Sequence, residues 1–334
     1  MYGWSACISW EKRKNEENGK ENRRMSIHKK MENQLKQRQW VSKGICKWCV
    51  IPMAFTVNFD RDGQMSQAIS SNDLHTVQQL ISSGMSVNSV VHNPDKQENT
   101  TILAGACYAG NLDIVDYLLK AGAYINHKDP CYGRTPLHWA CIGRQEKVTL
   151  YLIKNKADVN CVDRDNVTPI ITASMVGCQN IVTSLLKNGA NPCAVDRLRA
   201  SAIHYATFYG HSEVISTLIK SGCNSNNHVI FGQGTPLANL VHIKDQENCK
   251  LLLESGYNID NEEWLSDFQR HQSMANSIAS NSTIKTILTW LQTPRSLDSY
   301  CRIVIRKCMQ GVYLQNRVSN LPVPLTIKNY LLFL

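Results

Sequence analysis

Cys46 and Cys49 form a C-x-x-C pair, the spacing that supplies half of a tetrahedral zinc site or a redox disulfide. Zinc needs four ligands, and no second Cys or His pair stands nearby at ligand spacing. A redox pair needs a strand before it and a helix after it, and that setting is absent here, so the two thiols read as adventitious. His138 and His204 recur within similar hexads, TPLHWA and SAIHYA, which points to a repeated structural job for the imidazole. There is no G-x-S-x-G elbow, no Gly-rich phosphate loop and no RING-like Cys/His series. We therefore expect no catalytic residue, no metal and no cofactor, and a function carried by binding.

The charge pattern narrows the partners. The net charge is +9, but residues 11–47 alone hold 12 Lys/Arg against 5 Asp/Glu. The remainder is near neutral, so nucleic acid is not expected as a partner: no basic stripe falls on a folded body. Residues 1–60 read as a basic, disordered tail. The most apolar stretch, Trp48 to Phe59, is short and contains Pro52, so no membrane span is expected. Thirteen Cys without a secretory signal fit free thiols in a reducing compartment. We expect a cytoplasmic protein, and the run Lys12-Arg13-Lys14 leaves nuclear import open.

The elements that must position any binding face follow from a fixed period. TILAGA at 101–106, TPLHWA at 135–140, TPIITA at 168–173, SAIHYA at 201–206 and TPLANL at 235–240 are offset by 34, 33, 33 and 34 residues. A second signature keeps step: SGMSVN (83–88), AGAYIN (121–126), NKADVN (155–160), NGANPC (188–193), SGCNSN (221–226) and SGYNID (255–260). Apolar residues between the two recur at helical spacing, as in Ile181, Val182, Leu185 and Leu186. Pro136, Pro169 and Pro236 suit the first turn of a helix, and Gly122, Gly189, Gly222 and Gly256 suit a left-handed cap after one. Lys156 takes that cap position in one copy, where a side chain is less comfortable.

A period near 33 with T-P-L-H-x-A resembles the ankyrin repeat. About six repeats are expected over residues 65–260, the first being a cap without the TPLH motif. Residues 90–100 are expected as an exposed loop insertion, and 261–292 as a helical cap or linker.

The last forty residues change character. Leu297, Cys301, Val304, Ile305 and Cys308 fall on one face of a helix, with Arg302, Arg306 and Lys307 largely off it. Leu321-Pro322-Val323-Pro324 then fixes an extended turn. Leu297, Cys301 and Ile305 resemble the BC box that binds Elongin C, and the LPVP run resembles the box that selects cullin-5. Residues 294–334 thus resemble a SOCS box, and residues 65–334 as a whole resemble the ankyrin repeat and SOCS box family. The fold class expected is all-α, an ankyrin solenoid followed by a small helical SOCS box.

This resemblance implies a non-catalytic substrate-recognition subunit of a ubiquitin ligase. Elongin C, Elongin B and cullin-5 with its RING partner would be its partners. Leu297, Cys301, Val304, Ile305 and Cys308 would bind Elongin C, and Leu321, Pro322, Val323 and Pro324 the cullin. Ankyrin proteins hold ligands on the concave side, so a client protein would meet Tyr108, Ile142, Met175, Phe208 and Tyr209 on the inner helices. It would meet Arg134, Arg164 and Arg197 at the hairpin tips, beside Lys128, Tyr132 and Arg199. The alternative is an ankyrin scaffold without a ligase.

Overall fold

The computed structural model describes residues 59–93, 98–223, 234–259, 296–308 and 314–332, with isolated positions at 262, 283, 284, 287, 289 and 290. The tail expected over 1–60 up to residue 58, Cys46 and Cys49 within it, and most of the expected cap at 261–292 lie outside the described residues.

Six helix pairs follow one another: α1 (Phe59–Ser70) with α2 (Leu74–Ser82), α3 (Ile102–Ala109) with α4 (Leu112–Lys120), and α5 (Pro136–Ile142) with α6 (Glu146–Lys154). Then come α7 (Pro169–Val176) with α8 (Gln179–Lys187), α9 (Ala202–Tyr209) with α10 (Ser212–Lys220), and α11 (Pro236–Ile243) with α12 (Gln246–Glu254). The first helices of successive pairs stack side by side, and so do the second helices, giving two layers. One apolar core runs between them from Met65 to Leu253, since no single pair can cover both of its faces.

Local sequence explains the repeat geometry. Pro136, Pro169 and Pro236 each open a first helix, where the missing N–H costs nothing. The Thr101 and Thr235 hydroxyls accept from the N–H groups of Ala104 (3.1 Å) and Ala238 (3.2 Å) as N-caps. Between repeats an asparagine ladder stitches the loops. Asn88 donates to Gly122 O (3.5 Å), Asn126 accepts from Asp158 N (3.0 Å), and Asn160 donates to Gly189 O (3.0 Å).

The residue ending each second helix is left-handed: Gly122 has φ 92°, and Lys156 in the same place has φ 65°. The Lys156 Cβ raises the energy of that backbone region, at about 1 kcal/mol. Lys156→Gly is therefore expected to stabilise the protein by about 0.5–1 kcal/mol, seen as a higher urea midpoint with an unchanged slope.

The segment expected as a loop at 90–100 is instead a hairpin. β1 (Val90–Asn93) pairs antiparallel with β2 (Glu98–Thr101), Val91 facing Thr100. Val90, Val91, Thr100 and Thr101 are β-branched and favour extended backbone. Val91 and Thr101 are buried, so the hairpin covers the first repeats.

After the repeats, α13 (Leu297–Cys308), α14 (Leu314–Ser319) and α15 (Leu325–Leu332) form a small module. Its core is Leu314, Val318, Leu331 and Leu332, with Ile305 and Leu321 packed against it.

Candidate functional site

The hairpin between repeats is held by one buried aspartate each: Asp129, Asp163 and Asp196. Asp129 accepts from the backbone N–H groups of Cys131 (2.9 Å), Tyr132 (2.6 Å) and Arg134 (3.0 Å). Its other interaction ties the loop to α5, because Trp139 Nε1 donates to Asp129 Oδ2 at 2.9 Å. The same device recurs two repeats on, where the Tyr205 hydroxyl donates to Asp196 at 2.5 Å. At Asp163 the partner is Arg134, whose Nε lies 3.5 Å away. Burial pushes the Asp163 carboxyl up, against the pull of the Val167 N–H and the Arg134 guanidinium.

This corrects the expectation for Arg134. Its side chain is only 15% exposed, and the guanidinium lies over the rings of Tyr132 (4.5 Å) and Trp139 (5.6 Å). It is held against these two rings and Asp163 and is not a free cation at a tip. Arg164, Arg197 and Arg199 are exposed. Arg164 donates to Pro130 O at 2.7 Å, and Arg197 stands 3.8 Å from Asp165 in an exposed pair.

Tyr108, Ile142, Met175 and Phe208 occupy equivalent positions on α3, α5, α7 and α9, and all four are half-buried. They form an apolar row along the inner helices. Tyr108 meets Trp139 edge-on at 6.1 Å, and Phe208 meets Tyr209 edge-on at 5.0 Å. Aromatic and apolar side chains and exposed arginines are residue types that are frequent at the centre of protein interfaces.

The histidines are structural. His138 Nδ1 accepts from Thr135 N (3.2 Å), which leaves Nε2–H to donate to Val167 O in the next repeat (2.9 Å). Burial lowers the imidazole pKa to about 3. Cys161 lies 3.7 Å from His138 Nδ1 and resembles a nucleophile beside its base. However, burial pushes that thiol up to about 11, so the pair holds neither thiolate nor imidazolium at neutral pH. Among the described residues no group of His, Cys, Asp or Glu could hold a metal ion, and no helix is long and apolar enough to cross a membrane.

In the C-terminal module, Leu297, Cys301, Val304, Ile305 and Cys308 span about 100° of the helix circumference at 100° per residue. Cys301 is exposed, Val304 is 57% exposed, and Ile305 is half-buried against the module's own core. The side chains of Leu297 and Cys308 lie outside the described residues. The opposite face of α13 is used internally. Ile303 is buried, and Arg306, expected merely off the stripe, is 3% exposed. Arg306 donates through Nη1 to Leu331 O (2.6 Å) and through Nη2 to Ile219 O at the end of α10. Sequence reasoning missed this role, because an apolar pattern marks only where an arginine does not point.

Two further contacts dock the module on the repeats. Leu314 N donates to Ser221 O at 3.0 Å, and Arg302 pairs with Glu254 at 3.6 Å while lying over the Tyr330 ring at 4.6 Å. A side chain at Gly222 would meet Leu314 Cβ at 3.1 Å, so the approach is close. Leu321 is half-buried against the module core, Val323 is half-buried, and Pro322 and Pro324 are exposed. Pro324 O accepts from the N–H groups of Ile327 and Lys328, both at 3.1 Å, and so begins α15.

Comparison with known proteins agrees with this layout. The family described as Ankyrin repeats (3 copies) matches residues 65–163, 125–196, 151–229 and 170–263, and the SOCS box matches residues 293–332. Curated relatives include Palmitoyltransferase AKR1 of Kluyveromyces lactis, 32% identical over 96 residues, which is 29% of this chain and 12% of that one. Palmitoyltransferase ZDHHC17 of Rattus norvegicus is 32% identical over 80 residues, 24% of this chain and 13% of that one. ZDHHC17 of Danio rerio is 34% identical over 73 residues, 22% of this chain and 12% of that one. The chain thus spans about an eighth of these relatives' length, and the similarity is confined to ankyrin repeats. A SOCS box implies binding to Elongin B/C and a cullin in general, and ankyrin repeats imply protein binding. With repeats over 65–263 followed by a SOCS box over 293–332, the chain belongs to the ankyrin repeat and SOCS box family.

Proposed function

We propose that this chain is the substrate-recognition subunit of an Elongin B/C–cullin-5–RING ubiquitin ligase, holding a client protein in its ankyrin groove. The observation that carries the reading is the asymmetry of α13. One face is packed through Ile303 and Arg306, and the opposite apolar stripe is left open at Cys301 and Val304. An apolar helix face with anchors three and four residues apart fits a hydrophobic groove on a partner. No chemistry is asked of the chain itself. It raises the effective concentration of client lysines beside a ubiquitin-charged enzyme carried by the RING partner.

Cullin choice is assigned to the LPVP segment. Leu321 also supports the module core, so the clean variant replaces Pro322, Val323 and Pro324 by alanine and keeps Leu321. Elongin B/C should still co-purify, whereas cullin-5 should be lost from the complex. Preference of the unmodified protein for cullin-2 would overturn this assignment.

The client is expected to be acidic or phosphorylated and to carry at least one large apolar residue. Arg164, Arg197 and Arg199 face solvent in the repeats that carry Met175 and Phe208, and guanidinium groups pair bidentately with carboxylates and phosphates. A client can be recovered by proximity labelling with a form unable to dock on the ligase. Arg164→Glu with Arg197→Glu should then weaken client binding about tenfold or more and flatten its salt dependence. Unchanged affinity and salt slope would move the client site to another face, such as the hairpin at Val90–Thr101.

A further inference from the structure

The asparagine ladder breaks at one junction. Asn88, Asn126, Asn160 and Asn226 each stand four residues after the residue that ends a second helix, but the fourth repeat has Cys193 there. The residue facing that rung from the next repeat is the small, buried Ala123, Ala157 or Ala190 at the earlier junctions. At this junction it is Cys223, which is 2% exposed. The two departures from the chain's own pattern therefore face each other.

Their geometry is reciprocal. Cys193 Sγ lies 3.9 Å from Gly222 O, taking the carbonyl position that Asn88 and Asn160 use at their own junctions. Cys223 Sγ lies 3.0 Å from Pro192 O. Each sulfur thus rests on the peptide unit immediately preceding the other cysteine, and that planar unit also carries the other cysteine's Cα. Cys193 is also the leading influence on the Cys223 thiol, and together with burial it pushes that thiol well above its usual range. A disulfide needs Cα atoms about 4.4–6.8 Å apart, and each sulfur lying against the other cysteine's peptide unit is the arrangement from which one can close. Neither is in a disulfide here, and Cys193 is half-buried while Cys223 is buried.

We propose that Cys193 and Cys223 form an oxidation site that takes a hydroperoxide and closes a disulfide staple between the fourth and fifth repeats. In the first step the half-buried Cys193 sulfur takes one peroxide oxygen; the O–O bond breaks, and water (or an alcohol) leaves with sulfenic acid formed. In the second step the Cys223 sulfur attacks Cys193 Sγ. The S–S bond forms, the S–O bond breaks, and the hydroxyl leaves as water with the Cys223 proton. The sum is two thiols oxidised by two electrons and one peroxide reduced. The staple locks the repeat on which the SOCS box rests, since Leu314 docks against Ser221 and Gly222 directly before Cys223.

The test uses the full chain, exposed to hydrogen peroxide, blocked with N-ethylmaleimide and digested without reduction. Mass spectrometry should find the Cys193 and Cys223 peptides joined and two hydrogens lighter than their sum, and dithiothreitol should separate them. The linked protein should melt higher by roughly 5 °C, a shift that dithiothreitol abolishes. Cys193→Asn restores the ladder residue, so this variant should stay folded, show no link and show no peroxide-dependent shift. The proposal is overturned if Cys193 is recovered alkylated or as a sulfinic acid without the link, if it is linked to another cysteine, or if the link leaves the melting temperature unchanged.

Discussion

Replacing Leu297 by alanine and Cys301 by arginine together is expected to abolish capture of Elongin B/C while the ankyrin array keeps its melting temperature. Burying a leucine is worth about 1.5–3 kcal/mol, so losing the lead anchor alone weakens binding by roughly ten- to a hundredfold. An arginine at residue 301 adds an unpaired charge inside an apolar contact, which costs more than the lost apolar area. The two effects together place the affinity beyond what a co-purification retains. The free protein should tolerate the Cys301 change, because that side chain is exposed and surface changes usually cost within about 0.5 kcal/mol. The face carrying Cys301 lies opposite the Arg306 face that docks on the repeats, so the array should keep its fold. Co-expression with Elongin B and C followed by size exclusion, beside a melting curve of the chain alone, separates the two outcomes. Capture at near wild-type affinity would remove the BC-box assignment and favour an ankyrin scaffold without a ligase.

How much of this was legible beforehand depended on distance along the chain. The period of 33–34 residues fixed the helix pairs, because the caps, the prolines and the apolar spacing are all local to one repeat. Lys156 was legible as a strained cap for the same reason: its five counterparts, Gly84, Gly122, Gly189, Gly222 and Gly256, are glycine. The hairpin at Val90–Thr101 was not, since its β-branched ends pair across a polar insert that carries no repeat signal. Arg134 was misplaced because its direction is decided by Asp163, a repeat away in sequence, and by the Tyr132 and Trp139 faces it covers. The spacing put Cys301 and Val304 on one face of α13, and both are exposed there, while Ile305 from the same stripe packs against the module core. The working opposite face was not legible, because burying a guanidinium depends on two carbonyls, Ile219 O and Leu331 O, that are remote in sequence.

That buried guanidinium carries the second large expected effect. Arg306 is the joint between the SOCS box and the array, tying the C-terminal end of α10 to the C-terminal end of α15. Carbonyls at helix C-termini lack intrahelical partners and carry the negative end of the helix dipole, so a cation there satisfies both needs. Burial, reinforced by repulsion from Arg302, lowers the Arg306 pKa only to about 10, so the group stays charged at neutral pH. Arg306→Ala removes both charge-assisted hydrogen bonds and leaves Ile219 O only the Gly222 N–H at 3.1 Å; hydrogen bonds to charged groups contribute about 1.5–3 kcal/mol each. A net destabilisation of about 2–4 kcal/mol is expected, concentrated at the joint. Arg306→Lys should rescue little, because one ammonium on a flexible stem does not reproduce the planar fork that reaches two directions at once. Hydrogen exchange is the decisive measurement. Amides of Leu314–Ser319 and Leu325–Leu332 should lose protection in the alanine variant, while those of α5 to α8 remain unchanged. Equal loss throughout the array would mean that Arg306 supports the global fold. No loss would mean that Leu314, Arg302 and Glu254 hold the module in place without it.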